Sequence, residues 1–153
     1  MIIRPATGAD TAAIQALVRG AHLNPRDLDW RRFKVAVIDG RIVGCVQVRI
    51  HRRGSRELAS LVVDLAQRGS GVGSRLVESM LADVPGRLYV MTIRQTESYF
   101  QRFGFRTVEG GLTPTDFRRQ FRIGQIATAI FSIPARRRLR IVAMRRDPSS
   151  ATT

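Results

Sequence analysis

The spacing of apolar residues along the chain predicts strands and helices in alternation. Apolar residues at helical spacing between about Asp10 and Arg19 predict an amphipathic helix with Asp10 at its N-cap. Apolar runs on both sides of Asp39-Gly40 predict a β-hairpin, because that dipeptide readily adopts the positive φ angles of a tight turn. The predicted strands are Met1–Arg4, Phe33–Ile38, Arg41–Ile50, Glu57–Val63, Leu88–Thr92, Phe105–Val108 and Leu139–Met144. The other predicted helices are a short piece opening at Asn24-Pro25, one from about Gly71 to Leu81, and Glu97–Phe103.

One strand differs from the others in its pattern. Leu61-Val62-Val63 is a continuous apolar run, which is typical of a central strand buried on both faces. A glycine-rich loop and a helix follow it. The predicted fold class is therefore α/β (α+β), with a mixed central sheet of about six or seven strands flanked by helices.

Length and composition narrow the class of protein. A chain of 153 residues, 44% of them hydrophobic, suits one domain over residues 1–147, with 148–153 as a disordered tail. Cys45 is the single cysteine and the only histidines are His22 and His51, so we predict neither an internal disulfide nor a metal site. The N-terminus lacks a secretory pattern, and the longest apolar stretch is too short to span a membrane. We expect a cytoplasmic protein without a membrane partner.

The charge is strongly basic, at +14, and 25 of the 26 cationic side chains are arginine. Such a balance favours acidic ligands, phosphates or nucleic acid. Nine arginines and no acidic residue lie between Arg118 and Arg146, a segment suited to RNA or a membrane surface. Apolar residues at helical spacing in the same segment (Ile123, Ile126, Ala127, Ile130 and Phe131) instead favour an amphipathic helix packed on the sheet or on a partner subunit, and a homodimer is left open.

The strongest motif is the glycine-rich loop Arg68-Gly69-Ser70-Gly71-Val72-Gly73, between the apolar strand and a helix. Glycines allow backbone N–H groups to approach an anion, and a helix N-terminus adds roughly half a positive charge. The loop lacks the Gly-Lys-Ser/Thr of a Walker loop. Its glycine spacing and its place after a hairpin also exclude the G-x-G-x-x-G of a dinucleotide-binding unit.

With this loop, the chain resembles the GNAT superfamily of acetyl-CoA-dependent N-acetyltransferases, whose pyrophosphate loop reads R-x-x-G-x-G. The order of predicted elements is that of the family's fold. The string Tyr99-Phe100-Gln101-Arg102-Phe103-Gly104-Phe105 is similar to the family's helix-to-strand signature. The resemblance covers about residues 1–110 and the final strand, and it is nearest to N-acetylglutamate synthases.

The resemblance implies a binding site for acetyl-CoA as co-substrate. The residues it assigns to this site are Arg68, Gly69, Ser70, Gly71, Val72, Gly73 and Ser74 for the pyrophosphate, Leu61, Val62 and Val63 for the pantetheine arm, and Phe100. The alternative is a glycine-rich connector with an exposed arginine.

The resemblance also implies catalytic residues. Glu57 stands eleven residues before Arg68, where the histone-acetylating branch places its general base, and the backbone N–H of Leu61 is the corresponding oxyanion donor. The alternative for Glu57 is a surface glutamate paired with Arg53 or Arg56. Phe100 occupies the place of the usual acid tyrosine. Tyr99, about 100° round the helix, or solvent would then protonate the leaving thiolate.

Other polar residues have competing interpretations. Cys45 is an acyl-accepting thiol or, more commonly, a buried small residue. His51 is expected to be solvated at a strand end. Leu23–Phe33 is expected to form the wall of the acceptor pocket, where Arg26, Arg31 and Arg32 hold an acidic substrate or are solvated.

We therefore predict an enzyme, a GNAT-type N-acetyltransferase that transfers acetyl to a primary amine of an amino acid or another small molecule, with glutamate suggested by resemblance. The alternatives are a protein or peptide N-acetyltransferase of the same fold, and a basic nucleic-acid-binding module without turnover.

Overall fold

The computed structural model describes residues 1–23, 25–109, 114–115 and 140–148. In these ranges the strands and α-helices follow one another in the order that the apolar spacing predicts, with three consecutive strands between the first two helices. The strands are β1 (Ile2–Pro5), β2 (Phe33–Ile38), β3 (Arg41–Ile50), β4 (Arg56–Val63), β5 (Leu88–Ile93), β6 (Arg106–Val108) and β7 (Ile141–Arg146). The α-helices are α1 (Thr11–Gly20), α2 (Val72–Asp83) and α3 (Glu97–Gln101). The mixed α/β fold class is confirmed.

The described residues group into two compact units. The first comprises Met1–Arg49 and Leu58–Pro85, and its strand order is β1-β2-β3-β4. The second comprises Ile50–Glu57 and the chain from Gly86 onward, and its strand order is β5-β7-β6.

The predicted hairpin organises the first unit. β2 pairs antiparallel with β1 on one side and with β3 on the other. Asp39 and Gly40 have φ angles of 48° and 73°, the left-handed conformation that the sequence predicts for this turn. Apolar side chains of β2, β3, β4 and α1, with Ala6 directly after β1, form one buried cluster: Ala6, Ile14, Val18, Phe33, Val35, Cys45 and Val62.

The contact between α2 and β3 explains a glycine within a buried strand. A Cβ atom on Gly44 would lie 3.0 Å from Leu76 Cδ1 and 3.0 Å from the carbonyl oxygen of Val62. Leu76 is fully buried and the carbonyl belongs to a strand, so neither atom yields easily. The absent side chain of Gly44 thus allows α2 to lie close to the strands.

The second unit is a three-stranded antiparallel arrangement. β7 pairs with β5 from Leu88↔Arg146 to Ile93↔Ile141, and with β6 at its other edge. Tyr89 and Ala143 are buried in its core, with Met91 and Val108 packed against them. β7 begins two residues after the predicted start at Leu139.

Asp10 occupies the predicted N-cap position of α1, but its side chain makes no capping hydrogen bond there. α1 begins at Thr11, after a single 3₁₀ turn at Gly8–Asp10. The Asp10 carboxylate instead accepts hydrogen bonds from Arg4 Nη1 at 2.7 Å and from the backbone N–H of Thr7 at 2.7 Å. The hydrogen bond from Arg4 is the largest cause that holds the pKa of Asp10 well below its usual range.

Two other predictions from the sequence need correction. The piece predicted to be helical from Pro25 forms only a 3₁₀ turn at Trp30–Arg32, because Asp27 adopts a left-handed φ of 59° that interrupts a helix. β4 is not buried on both faces: Val62 is buried, but Leu61 and Val63 are half-buried. The predicted amphipathic helix around Ile126 and the tail beyond Pro148 lie outside the described residues.

We expect Gly44→Ala to destabilise the protein by about 1–3 kcal/mol, since the added methyl group overpacks a site with little room to relax. The control is Gly20→Ala at the end of α1, where a Cβ meets no atom within 4 Å. That change should be neutral or stabilising by up to about 1 kcal/mol. Chemical denaturation of both variants checks the prediction, and equal stabilities would contradict it.

Candidate active site

The glycine-rich loop has the backbone that anion binding requires. Gly69 and Gly71 have φ angles of 78° and 85°, and α2 begins directly after Gly71. A Cβ atom at either glycine would meet nothing within 4 Å, so the backbone conformation, not lack of space, calls for glycine there. The first N–H groups of a helix have no partner within the helix. The loop can therefore hold a phosphate group at the start of α2.

Arg68 connects this loop to the end of β4. The chain leaves β4 through a 3₁₀ turn at Leu65–Gln67, which Asp64 caps by accepting a hydrogen bond from the N–H of Ala66. The exposed Arg68 follows, and its Nε donates to the carbonyl oxygen of Val63 at 3.3 Å. The structure thus brings together two of the predicted binding segments, the end of β4 and the glycine-rich loop.

The backbone of β4 is irregular at Ser60. This residue has a φ of 52°, a conformation that costs energy for any residue with a side chain. Two side chains of β3 contact Ser60: Gln47 Nε2 donates to its hydroxyl at 2.9 Å, and the Cys45 thiol lies 3.7 Å from its carbonyl oxygen. Ser60 interrupts the regular extended backbone of β4 directly before Leu61, the predicted oxyanion donor.

Glu57 is buried, not on the surface. Its residue exposure is 3%, and its Oε2 lies 2.8 Å from Nε2 of His51. The alternative of a surface glutamate is therefore wrong. An ionised carboxylate in such a place needs hydrogen-bond donors to offset its lost hydration, and the imidazole supplies one.

The expectation that His51 is solvated is also wrong. The residue is 9% exposed, although it directly precedes two exposed arginines. Its backbone N–H donates to the carbonyl of Ser55 at 2.8 Å, and its own carbonyl accepts from the N–H of Gly54 at 2.9 Å. This tight turn places His51 opposite Ser55, so that Glu57 is its diagonal neighbour on the same face. The turn signal Arg52-Arg53-Gly54 could have revealed the pair.

Tyr99 and Phe100 belong to a cluster of aromatic rings. Phe100 is buried, with its ring centroid 5.0 Å from that of Tyr99 and 5.9 Å from that of Phe105. Tyr99 is half-buried, and the guanidinium of Arg102 lies 4.9 Å from its ring centroid. The phenylalanine in place of the usual tyrosine therefore serves packing, and the role of Tyr99 as acid stays a prediction.

The arginines expected near an acceptor pocket are engaged in ion pairs. Arg32 Nη1 lies 3.3 Å from an Asp27 carboxylate oxygen, and Arg31 Nη1 lies 3.4 Å from Asp29. The guanidinium of Arg31 also stacks 4.7 Å above the ring of Trp30. A carboxylate substrate would have to compete with these aspartates.

Two kinds of feature are not found in the described part of the chain. No group of three or more His, Cys, Asp or Glu side chains there could hold a metal ion. None of the helices in the described ranges is long and apolar enough to cross a membrane.

Comparison with known families decides the class of protein. The family profile described as "Acetyltransferase (GNAT) domain" matches residues 29–107, which is more than half of the chain. The chain belongs to the GNAT acetyltransferases. This membership confirms the resemblance seen in the sequence and the prediction of an N-acetyltransferase enzyme.

Solved structures agree on the GNAT fold. N-acetylglutamate synthase from Neisseria gonorrhoeae, complexed with coenzyme A and N-acetyl-glutamate, is 20% identical, with a TM-score of 0.73 over 96% of this chain and 35% of that one. Rv2747 from Mycobacterium tuberculosis, also in complex with CoA, is 25% identical, with a TM-score of 0.69 over 96% and 99% of the two chains. This GNAT chain thus spans about a third of the length of the first relative and nearly all of the second.

A third structure widens the range of acceptors among the relatives. The ribosomal-protein-alanine N-acetyltransferase from Brucella melitensis is 19% identical, with a TM-score of 0.61 over 96% of this chain and 99% of that one. No curated protein sequence matches the chain significantly.

Cys45 is expected to take no part in acetyl transfer by this GNAT protein. The thiol is fully buried, and burial raises its pKa to about 12, so the nucleophilic thiolate is scarce. Cys45→Ala should therefore keep kcat within about twofold of the wild type, because no covalent step is lost. Steady-state kinetics and intact-protein mass spectrometry check this. An acetylated Cys45 together with loss of turnover in the variant would contradict it.

Proposed function

We propose that the protein transfers acetyl from acetyl-CoA directly to the primary amine of an amino acid or similar small molecule, with Glu57 as general base. The observation that carries this proposal is the buried Glu57 carboxylate at the start of β4, hydrogen-bonded to His51. A buried carboxylate in a family of amine acetyltransferases suits removal of a proton from an ammonium group. That two structural relatives hold CoA supports acetyl-CoA as the co-substrate.

The reaction proceeds by one direct transfer. Glu57 takes a proton from the acceptor ammonium, directly or through a water molecule, and the freed amine nitrogen attacks the thioester carbonyl carbon. The developing oxyanion accepts a hydrogen bond from the backbone N–H of Leu61. The C–S bond then breaks, and the CoA thiolate takes a proton from Tyr99 or from solvent. The nitrogen, now bonded to the acyl carbon, releases its second proton to the tyrosinate or to solvent, which leaves the neutral amide.

The loop at Gly69–Ser74 binds the pyrophosphate of CoA in this proposal. Its left-handed glycines and the start of α2 support the assignment. The net charge of +14 supports it as well, because a positive field attracts the anionic co-substrate.

Glutamate is the leading acceptor in the proposal. The likeness to an N-acetylglutamate synthase supports this choice, as does the basic charge of the chain. A protein N-terminus is the alternative within the same reaction class.

A nucleic-acid module without turnover has less support. Within the described ranges, two arginines of the proposed basic segment contact the fold. Arg145 Nε lies 3.0 Å from an Asp147 carboxylate oxygen, and Arg146 Nε donates to the carbonyl of Phe103 at 3.0 Å. Side chains engaged in this way are less available to phosphates of a nucleic acid.

We expect Glu57→Gln to lower kcat by about 10²- to 10⁴-fold while leaving the affinity for acetyl-CoA nearly unchanged, because the amide keeps the shape but cannot take a proton. Tyr99→Phe should lower kcat less. Steady-state kinetics with calorimetric titration of acetyl-CoA measure both effects. A larger loss of kcat in Tyr99→Phe than in Glu57→Gln would contradict the order of importance assigned to these two residues. An unchanged kcat in Glu57→Gln would refute the assignment of Glu57 as general base.

Gly71→Glu should weaken CoA binding at least tenfold, about 1.4 kcal/mol, because it places a strained backbone and a negative charge at the pyrophosphate. Gly54→Glu is the matched control, since Gly54 is also exposed with a positive φ of 89° but lies in the turn before β4. Calorimetry on folded variants provides the measurement. Equal affinities in the two variants would refute the loop assignment.

A further inference from the structure

His51 and Glu57 form a buried side-chain pair at the turn that leads into β4. Both side chains are at least nine-tenths buried, with exposures of 5% and 4%. A carboxylate removed from water loses hydration that only hydrogen-bond donors can replace. His51 Nε2 lies 2.8 Å from Glu57 Oε2 and is a donor both in the protonated ring and in the neutral tautomer with its proton at Nε2.

The turn before β4 holds the imidazole in one orientation. The backbone of His51 is fixed at both its N–H and its carbonyl, by Ser55 and by Gly54 respectively. His51 and Glu57 are diagonal neighbours across this tight turn, which lie farther apart than directly opposite residues. The long histidine side chain spans this distance and brings Nε2 to the Glu57 carboxylate. A rotamer held by such a contact keeps a general base where its proton transfer requires it.

We infer that His51 is a positioning residue, which holds the carboxylate of Glu57 in the orientation that accepts the proton of the acceptor amine. His51 acts through Glu57 and transfers no proton itself. This inference rests on the proposed function, in which Glu57 is the general base. It adds a residue that neither the glycine-rich loop nor the helix-to-strand signature indicates.

The test compares three variants of the full chain. His51→Leu removes the donor, whereas His51→Gln places an amide N–H close to the position of Nε2. His22→Leu is the control for loss of a histidine, since His22 is exposed. The acceptor is the amine that gives the highest wild-type turnover among the twenty amino acids and a set of peptide N-termini.

We expect His51→Leu to lower kcat by about 10- to 100-fold, with KM for acetyl-CoA within about twofold of the wild type. His51→Gln should recover most of the loss, and His22→Leu should match the wild type. In the Glu57→Gln background, His51→Leu should lower kcat no further. The effects of the two substitutions are not additive, because His51 acts only through Glu57. If His51→Leu does not fold, His51→Gln against His51→Asn makes the same comparison, since the shorter amide does not reach Glu57.

Any one of three results would overturn the inference. The first is a wild-type kcat in His51→Leu, and the second is an equal decrease of kcat in His51→Leu and His51→Gln. The third is that His51→Leu lowers kcat as much in the Glu57→Gln background as in the wild type. The proposed function fails separately, if Glu57→Gln keeps wild-type kcat. Absence of wild-type turnover with every amine would overturn both.

Discussion

The burial of β3 is the constraint on which the rest of the first unit depends. From Val43 to Arg49 every residue of this strand is buried, so its neighbours must supply both apolar packing and hydrogen bonds. Gly44 has no side chain and thereby allows α2 close contact, while Cys45 and Gln47 contact Ser60 of β4. A strand buried along most of its length can accept few substitutions, because each of them changes packing or leaves a polar group unsatisfied.

The same constraint gives the candidate site its chemical character. The strand after this one carries a buried carboxylate at its start and an irregular residue, Ser60, in its middle. Both features cost stability when taken alone, the first through lost hydration and the second through backbone strain. Hydrogen bonds from His51 and Gln47 offset them. Such locally unfavourable features with dedicated support are typical of functional sites.

Much of the fold could be predicted from the sequence, because its signals are local. The Asp39-Gly40 turn with its two apolar strands and the loop before α2 depend on backbone preferences of nearby residues. The helix predicted after Pro25 does not form, because Asp27 has a left-handed φ of 59°, which the local sequence pattern does not indicate. The prediction that both faces of β4 are buried was wrong, because a run of apolar residues does not indicate which of its side chains other elements bury.

The candidate site was predictable in part. Glu57 and the glycine-rich loop were assigned through the resemblance to the GNAT family, because each of the family's motifs lies within one strand or one loop of the sequence. His51 was missed because a histidine beside Arg52 and Arg53 has polar sequence neighbours, whereas its burial is decided by the register across the turn. The register across the turn could have been predicted from the sequence. The burial of His51 and Glu57 could not, because burial depends on residues distant in the chain.

Acetyl transfer to a panel of amines tests the central claim most directly. Release of CoA from acetyl-CoA would be followed with each amino acid and with peptide N-termini, alongside RNA binding over a range of salt concentrations. We predict turnover with a small amino acid, glutamate above all, and RNA binding that disappears by physiological salt. Absence of transfer to every amine, together with sub-micromolar RNA binding that persists at physiological salt, would contradict it.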